Sequence, residues 1–206
     1  MKRDPKPIDP ARTAVLVIEF QREWMDEDGK LNHLMEDRPQ FEASKTGGKD
    51  LLKLARAAGL TVIHSGLRFT EGHAELGQDG LGLRGAIKSF GTFPINGKGS
   101  DFAPGFEPLQ GEFVPTGRLG GSAFAGSNLG AYLQNNRIDT LLIAGYALHV
   151  CVESTLRAAH DLGYDAYLIP EATAAFTASQ RAHVLDHVVH HYGLNLSLEA
   201  LQAQLG

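Results

Sequence analysis

The sequence lacks the features that mark several classes of protein. Its 206 residues include one cysteine, so an intramolecular disulfide cannot form. No apolar run approaches the roughly 20 residues that a membrane-spanning helix needs. The formal net charge is −5, whereas a nucleic-acid-binding protein typically has an excess of basic residues. Prolines and charges interrupt the first 19 residues, unlike a signal peptide. We therefore expect a cytoplasmic protein with no nucleic-acid or membrane partner.

The composition is that of a folded globular chain. Hydrophobic residues make up 43% of it and charged residues 21%, and its length suits one large core. We expect a single domain over residues 1–206. The stretch 68–111 is rich in glycine and has no clear period, so we expect a long loop insertion there, of the kind that often carries function.

Short apolar runs alternate with helical patterns along the rest of the chain. Strands are predicted at 13–19, 61–66, 112–118, 139–145 and 164–172, and helices at 49–60, 126–137, 152–163 and 179–193. A short strand and a capped helix are predicted after residue 193. This alternation predicts an α/β fold, a Rossmann-like three-layer sandwich with a central parallel sheet.

Three chemically distinctive residues fall at the carboxyl ends of predicted strands, where such sheets bind ligands. Glu19 ends the first strand, Arg118 ends the third, and Cys151 follows the turn after the fourth. A thiol at a strand-to-helix turn meets the positive end of the helix dipole, which lowers its pKa. A carboxylate beside it can take the thiol proton, and an arginine can supply fixed positive charge.

Each of the three residues also has an ordinary structural interpretation. A free cysteine is more often a small buried hydrophobe than a nucleophile. An acidic residue after a strand can be a solvated strand end, and most arginines are surface cations. The residues alone leave these alternatives open.

The stretches "TAVLVIEFQREW", "GRLGGSAFAGSNLGAYL" and "LLIAGYALHVCVESTLRAAHDLGYDAYLIPEATAAF" together resemble the isochorismatase-like cysteine hydrolases. The resemblance covers about residues 12 to 196. It implies the isochorismatase-like hydrolase fold and a cysteine-dependent amidohydrolase of small carboxamides or ureides. It also implies a homodimer or homotetramer and no cofactor. The family's Asp–Lys–Cys triad falls on Glu19, Arg118 and Cys151.

The resemblance extends to the surroundings of the triad. It implies a cis peptide bond between Tyr146 and Ala147, and an oxyanion hole formed by the amides of Ala147 and Cys151. It also makes Trp24 and Phe124 candidates for walls of the substrate site, with Phe69 as a further candidate. The alternative is that these aromatic side chains belong to the core.

Two positions of the triad depart from the family's pattern. Glu19 is longer than aspartate by about 1.5 Å, one C–C bond. Arg118 brings a planar fork that suits a bidentate pair with a carboxylate. We interpret the two departures as coupled, with a Glu–Arg pair filling the space of an Asp–Lys pair. A tight pair would also make Glu19 a poor base, so the alternative function is a non-catalytic relative that binds a small ligand. A thiol redox protein would lack a resolving cysteine.

Two further patterns are weak. "GLGLRG" at 80–85 matches a dinucleotide-binding fingerprint, but no predicted strand precedes it, so we interpret it as a loop. One predicted helix carries several histidines, for which we expect surface and packing roles: His183, His187, His190 and His191. The metal motif Asp-x-His of nicotinamidases is absent around His73, and we predict no metal.

Overall fold

Five parallel strands form the centre of the molecule. In the computed structural model, which describes residues 5–206, they pair side by side in the order β2-β1-β3-β4-β5. The strands are β1 (Thr13–Ile18), β2 (Thr61–Ser65), β3 (Thr140–Gly145), β4 (Asp165–Thr173) and β5 (Leu194–Asn195). Residues of β1 are buried on both sides of the sheet because it has a neighbour on each edge and helices on each face.

Within residues 5–206, eight α-helices surround the sheet. They are α1 (Arg22–Met25), α2 (Arg38–Ala57), α3 (Leu83–Phe90), α4 (Leu129–Asn135), α5 (Glu153–Asp161), α6 (Ala178–His183), α7 (Val189–Tyr192) and α8 (Leu198–Leu205). A π-helical segment, Leu148–Val152, leads into α5, and another, Val184–Val188, joins α6 to α7. Within residues 5–206, no helix combines the length and the apolar character needed to cross a membrane.

The side chains of β1 alternate between two hydrophobic cores. Val15 and Val17 face a core that includes residues of α2 and α8. Leu16 and Ile18 face a second core built from α4, α5 and the α6–α7 helix. The predicted three-layer α/β architecture is therefore confirmed, and the carboxyl ends of β1, β2 and β3 meet at one edge of the sheet.

The prediction of a strand at 112–118 is wrong. Only Phe113 forms a bridge, parallel to Ile63 of β2, and the chain then leaves the sheet. Pro115 has no amide hydrogen for a ladder, and Gly117 adopts a φ of +82°. Arg118 therefore reaches the sheet edge from an irregular segment.

Helix α2 begins well before its predicted start at residue 49. The Asp37 side chain caps it by accepting a hydrogen bond from the Gln40 amide. Gly47 obscures the helical pattern in the sequence, yet it has a packing role. A Cβ there would lie 2.2 Å from the carbonyl oxygen of Glu171, so glycine lets α2 approach β4 closely.

The stretch 68–111 is more ordered than the predicted loop. It contains α3, which begins at Leu83 inside the "GLGLRG" motif, and the preceding element is a 3-10 segment at Glu71–Leu76. Phe69 forms a bridge with Pro94 and is buried in the same core as β1. We therefore propose that this stretch is an insertion within one domain.

Candidate active site

Glu19 follows β1 directly and lies at the sheet edge. Its amide donates to the carbonyl oxygen of Ser65, at the end of β2, over 2.9 Å. Its φ of +56° lies in the left-handed region, which is uncommon for a residue other than glycine. Backbone conformations of this kind occur most often at functional sites. The side chain is buried, with 1% of the residue's surface exposed.

Arg118 forms a buried ion pair with Glu19. Its Nη2 lies 2.6 Å from Glu19 Oε1 and also donates to the Gly121 carbonyl, while Nε donates to the Gly120 carbonyl. The second carboxylate oxygen, Oε2, accepts a hydrogen bond of 3.0 Å from Trp24 Nε1. Each oxygen of Glu19 therefore has a donor, as a buried carboxylate requires.

Cys151 lies in the π-helical segment after β3 and lines the same cavity as Glu19. Burial raises the pKa of its thiol well above the ordinary value, and the negative charge of Glu19 raises it further, while Arg118 opposes this rise. The expectation that a helix dipole lowers this pKa is therefore wrong for the resting protein. A pKa raised in this way favours the protonated form of the Cys151 thiol.

Ala147 lies between the end of β3 and Cys151. Its peptide bond with Tyr146 is cis, as the resemblance implied. The residue lines the cavity, and its N–H has no hydrogen-bond acceptor among residues 5–206. Its carbonyl oxygen is occupied by the amides of Val150 and Val152. The Ala147 amide is therefore free to bind an atom that enters the cavity.

The cavity beside these residues has a volume of about 300 Å³ and a mostly apolar wall. Its size matches the lower end of small-molecule sites. Besides Glu19, Cys151 and Ala147, it is lined by Trp24 and by side chains from several separate segments, among them Leu31, Leu34, Leu67, Val150 and Phe176.

Helix α3 supplies another part of this wall. Its residues Leu83, Ala86, Ile87 and Phe90 line the cavity and follow the i, i+3, i+4, i+7 spacing of one helical face. This wall is hard to predict from the sequence because the helix has only eight residues and glycines flank it. The spacing itself was the available signal.

The three aromatic candidates have different positions. Trp24 lines the cavity and holds Glu19. Phe69 is fully buried in the core near His73, and Phe124 stacks on Tyr164 with ring centroids 5.7 Å apart. Neither lines the cavity, because each packs against another part of the molecule. Their positions correct the expectation that they form walls of the substrate site.

The histidines form no metal centre in the part of the chain that the structure describes, where no group of three or more His, Cys, Asp or Glu side chains could hold a metal ion. His73 is buried, and its Nε2 lies 2.7 Å from the Thr92 carbonyl oxygen.

Comparisons with known proteins agree with this fold. The profile of the Isochorismatase domain matches residues 13–200. Ureidoacrylate amidohydrolase RutB of Caulobacter vibrioides is 30% identical over 186 residues, covering 82% of this chain and 80% of its own. The crystal structure of a cysteine hydrolase from Pseudomonas syringae pv. phaseolicola 1448A superposes with a TM-score of 0.81 at 20% identity, over 100% of this chain and 98% of that chain. The N-carbamoylsarcosine amidase from Thermoplasma acidophilum superposes with a TM-score of 0.69 at 19% identity, over 91% and 97% of the two chains. At these identities the structural similarities establish the fold alone. Because the profile of the Isochorismatase domain spans most of the sequence, the chain belongs to the isochorismatase family.

Proposed function

We propose that this protein is a hydrolase that cleaves the C–N bond of a small carboxamide or ureide through a thioester on Cys151. The observation that carries the proposal is that Glu19 and Cys151 line one buried cavity while Arg118 pairs with Glu19. The relatives named ureidoacrylate amidohydrolase and N-carbamoylsarcosine amidase support hydrolysis of amides or ureides in general.

The first step is a proton transfer within the site. Glu19 takes the proton of the Cys151 thiol, and the resulting thiolate attacks the carbonyl carbon of the substrate. The two groups carry one negative charge whichever of them holds the proton. Arg118 compensates that charge in both states, so the transfer creates no additional buried charge.

The second step is the departure of the nitrogen. The amides of Ala147 and Cys151 bind the oxyanion of the tetrahedral intermediate, a role that the unpaired Ala147 N–H supports. Glu19 returns its proton to the leaving ammonia or amine, and the C–N bond breaks. Water, deprotonated by Glu19, then hydrolyses the thioester and restores the thiol.

A second candidate function is binding of a small ligand without turnover. The observation that favours it is that both oxygens of Glu19 already accept hydrogen bonds, from Arg118 and Trp24. A carboxylate held in this way is a weaker base. However, Glu19 still lines the cavity together with the thiol, which supports the catalytic proposal.

Ammonia release from a panel of carboxamides and ureides separates the two functions. We expect turnover by the native protein and none by Cys151→Ala with an unchanged circular dichroism spectrum. Mass spectrometry of the native protein quenched in acid during turnover should find an acyl adduct on Cys151. Equal turnover by Cys151→Ala would contradict the mechanism, and ligand binding without any ammonia release would establish the second candidate.

We also propose that the protein is a homodimer or homotetramer, as the resemblance implies. Light scattering during size-exclusion chromatography measures this directly. A monomer at micromolar concentration would contradict it.

A further inference from the structure

The cavity wall has very few polar side-chain atoms beyond the reacting groups. The indole N–H of Trp24 is already bonded to Glu19. The other polar group is the hydroxyl of Thr92, which follows α3 and lines the cavity. Thr92 is 1% exposed, and its Oγ1 has no hydrogen-bond partner among residues 5–206. This hydroxyl oxygen is itself buried, so the surface that the cavity presents to a ligand is almost wholly apolar.

Among residues 5–206, no lysine, arginine or histidine lines this cavity. The nearby cations have other partners: Arg118 is bonded to Glu19 and to backbone carbonyls, and the Lys30 ammonium is bonded to the carbonyls of Phe90 and Gly91 at the end of α3. His149 packs edge-on against Phe176, and burial lowers its pKa, which favours the neutral ring. In the described part of the chain, the carboxylate of Glu19 is the one acidic or basic side chain besides the Cys151 thiol that lines the cavity.

From this distribution of charge we infer that the substrate has an uncharged, mainly apolar acyl group. The inference rests on the proposed function and narrows its substrate class. A carboxylate on the acyl group would lose its hydration, meet no free cation and approach Glu19. The chain therefore discriminates against substrates such as a ureidoacrylate, which combines a ureido group with a carboxylate.

A matched pair of amides tests the inference. Hexanamide and adipamic acid share the same carbon chain up to the last position, where a methyl group stands in one and a carboxylate in the other. We expect kcat/KM for hexanamide to exceed that for adipamic acid by at least about a hundredfold. From propanamide to hexanamide, kcat/KM should rise about fourfold with each added methylene, or about 60-fold in all, as burial of a CH₂ group predicts.

Binding to Cys151→Ala provides a readout that does not depend on turnover. Trp24 is the only tryptophan of the chain and lines the cavity, so its fluorescence reports occupancy. We expect a saturable change with hexanamide and none with adipamic acid at the same concentrations. If hexanamide binds selectively but no amide is hydrolysed, the inference on ligand class stands and the proposed catalysis fails.

Other outcomes separate the inference on the substrate from the amidohydrolase proposal as well. Hydrolysis of adipamic acid at the rate of hexanamide, or a rate independent of chain length, would overturn the inference while leaving the amidohydrolase proposal intact. Failure of both amides to bind Cys151→Ala or to be hydrolysed by the native protein would overturn the inference too.

A gain-of-function variant sharpens the test. Leu83→Lys adds a cation to the cavity wall, and we expect it to lower kcat/KM for hexanamide and raise that for adipamic acid, narrowing their ratio at least tenfold. Leu81→Lys is the matched control, because Leu81 precedes α3, is 88% exposed and does not line the cavity. It should leave the ratio unchanged. An equal effect of both variants would contradict the charge argument.

Discussion

Two of the buried or partly buried glutamate–arginine pairs within residues 5–206 differ in their surroundings. Glu19 Oε1 lies 2.6 Å from Arg118, and Glu112 Oε1 lies 2.7 Å from Arg56. Glu112 also lies 2.8 Å from Nε2 of His64, a residue of β2, and accepts the Leu109 amide. Burial opposes ionisation of Glu112, but these hydrogen bonds outweigh it and lower its pKa to about 2.

The comparison teaches that a buried ion pair is not by itself a reactive site. The oxygens of Glu112 are occupied by groups that tie together α2, β2 and the segment after it, and Glu112 lines no cavity described here. Glu19 instead lines a cavity together with the Cys151 thiol. The neighbouring thiol and the free space distinguish a proposed catalytic pair from a structural one.

The largest expected difference between the pairs is in turnover. Glu19→Gln removes the proton acceptor, and we expect kcat to fall by about 10³-fold, within the range of general acid–base catalysis. Glu112→Gln is the same substitution in the other pair. It should alter kcat of the folded protein by less than about threefold, because Glu112 does not line the cavity. Steady-state ammonia release measures both, and similar losses in the two variants would remove the proposed distinction.

The coupling between Glu19 and Arg118 should give the next largest effect. Glu19→Asp withdraws the carboxylate by about 1.5 Å, and Arg118→Lys removes the fork, so each should lower kcat about 100-fold. The double variant restores the family's Asp–Lys pattern and should recover at least about tenfold over either single variant. Additive losses in this double-mutant cycle would show that the two departures are independent.

The reactivity of the thiol should respond in opposite directions to the two charges. Without the charge of Glu19, Arg118 is unopposed and the pKa of Cys151 falls, so iodoacetamide should alkylate Glu19→Gln faster than the native protein at pH 7.5. Arg118→Gln should react more slowly. We expect changes of at least about tenfold, the effect of one pKa unit on the thiolate fraction.

In the native protein, the alkylation rate should continue to rise with pH above the ordinary thiol pKa of 9.0. Mass spectrometry of the single cysteine gives each rate. A change in the same direction for both variants would contradict the assigned charges.

The smallest expected effect concerns the stability of the structural pair. The folded pKa of Glu112, about 2, lies below its ordinary value of 4.5, so its ionised form stabilises the native state above pH 4.5. That contribution is lost as pH falls from about 4.5 to about 2. We expect Glu112→Gln to lower the free energy of unfolding by about 1 kcal/mol at pH 7, allowing for partial solvent screening.

The same variant should also flatten the acid dependence of stability in this window. Urea titrations at several pH values measure both effects, and an unchanged pH dependence would show that Glu112 is not responsible.

Much of the sheet and the position of two site residues could be predicted from the sequence. The apolar runs before Glu19 and Cys151 are long and β-rich, and parallel strands share one carboxyl edge, so the two residues had to lie near each other. Arg118 was harder to position, because Pro115 and Gly117 end the extended segment before it. Its position at the sheet edge was predicted from a strand at 112–118 that does not form, and the family resemblance matched it to the triad.

The pKa of Cys151 and the cavity wall could not be predicted in the same way. The sequence reveals a helix start near Cys151, but the burial of the thiol and the proximity of Glu19 arise from tertiary packing. Likewise, the apolar face of α3 is a short pattern among glycines. The cavity that it lines forms only when the stretch 68–111 packs over the edge of the sheet. These features depend on contacts between segments that are distant in sequence.

The backbone carbonyls around Arg118 have a consequence for engineering. Its guanidinium spans Glu19 and the main chain at Gly120 and Gly121, so the turn that follows the residue has a shape suited to a planar, multiply donating cation. A lysine ammonium has a single centre and cannot reach all these acceptors in the same way. We therefore expect that a lysine from a relative will function fully in this protein only if residues 118–121 are replaced together by the corresponding turn of that relative.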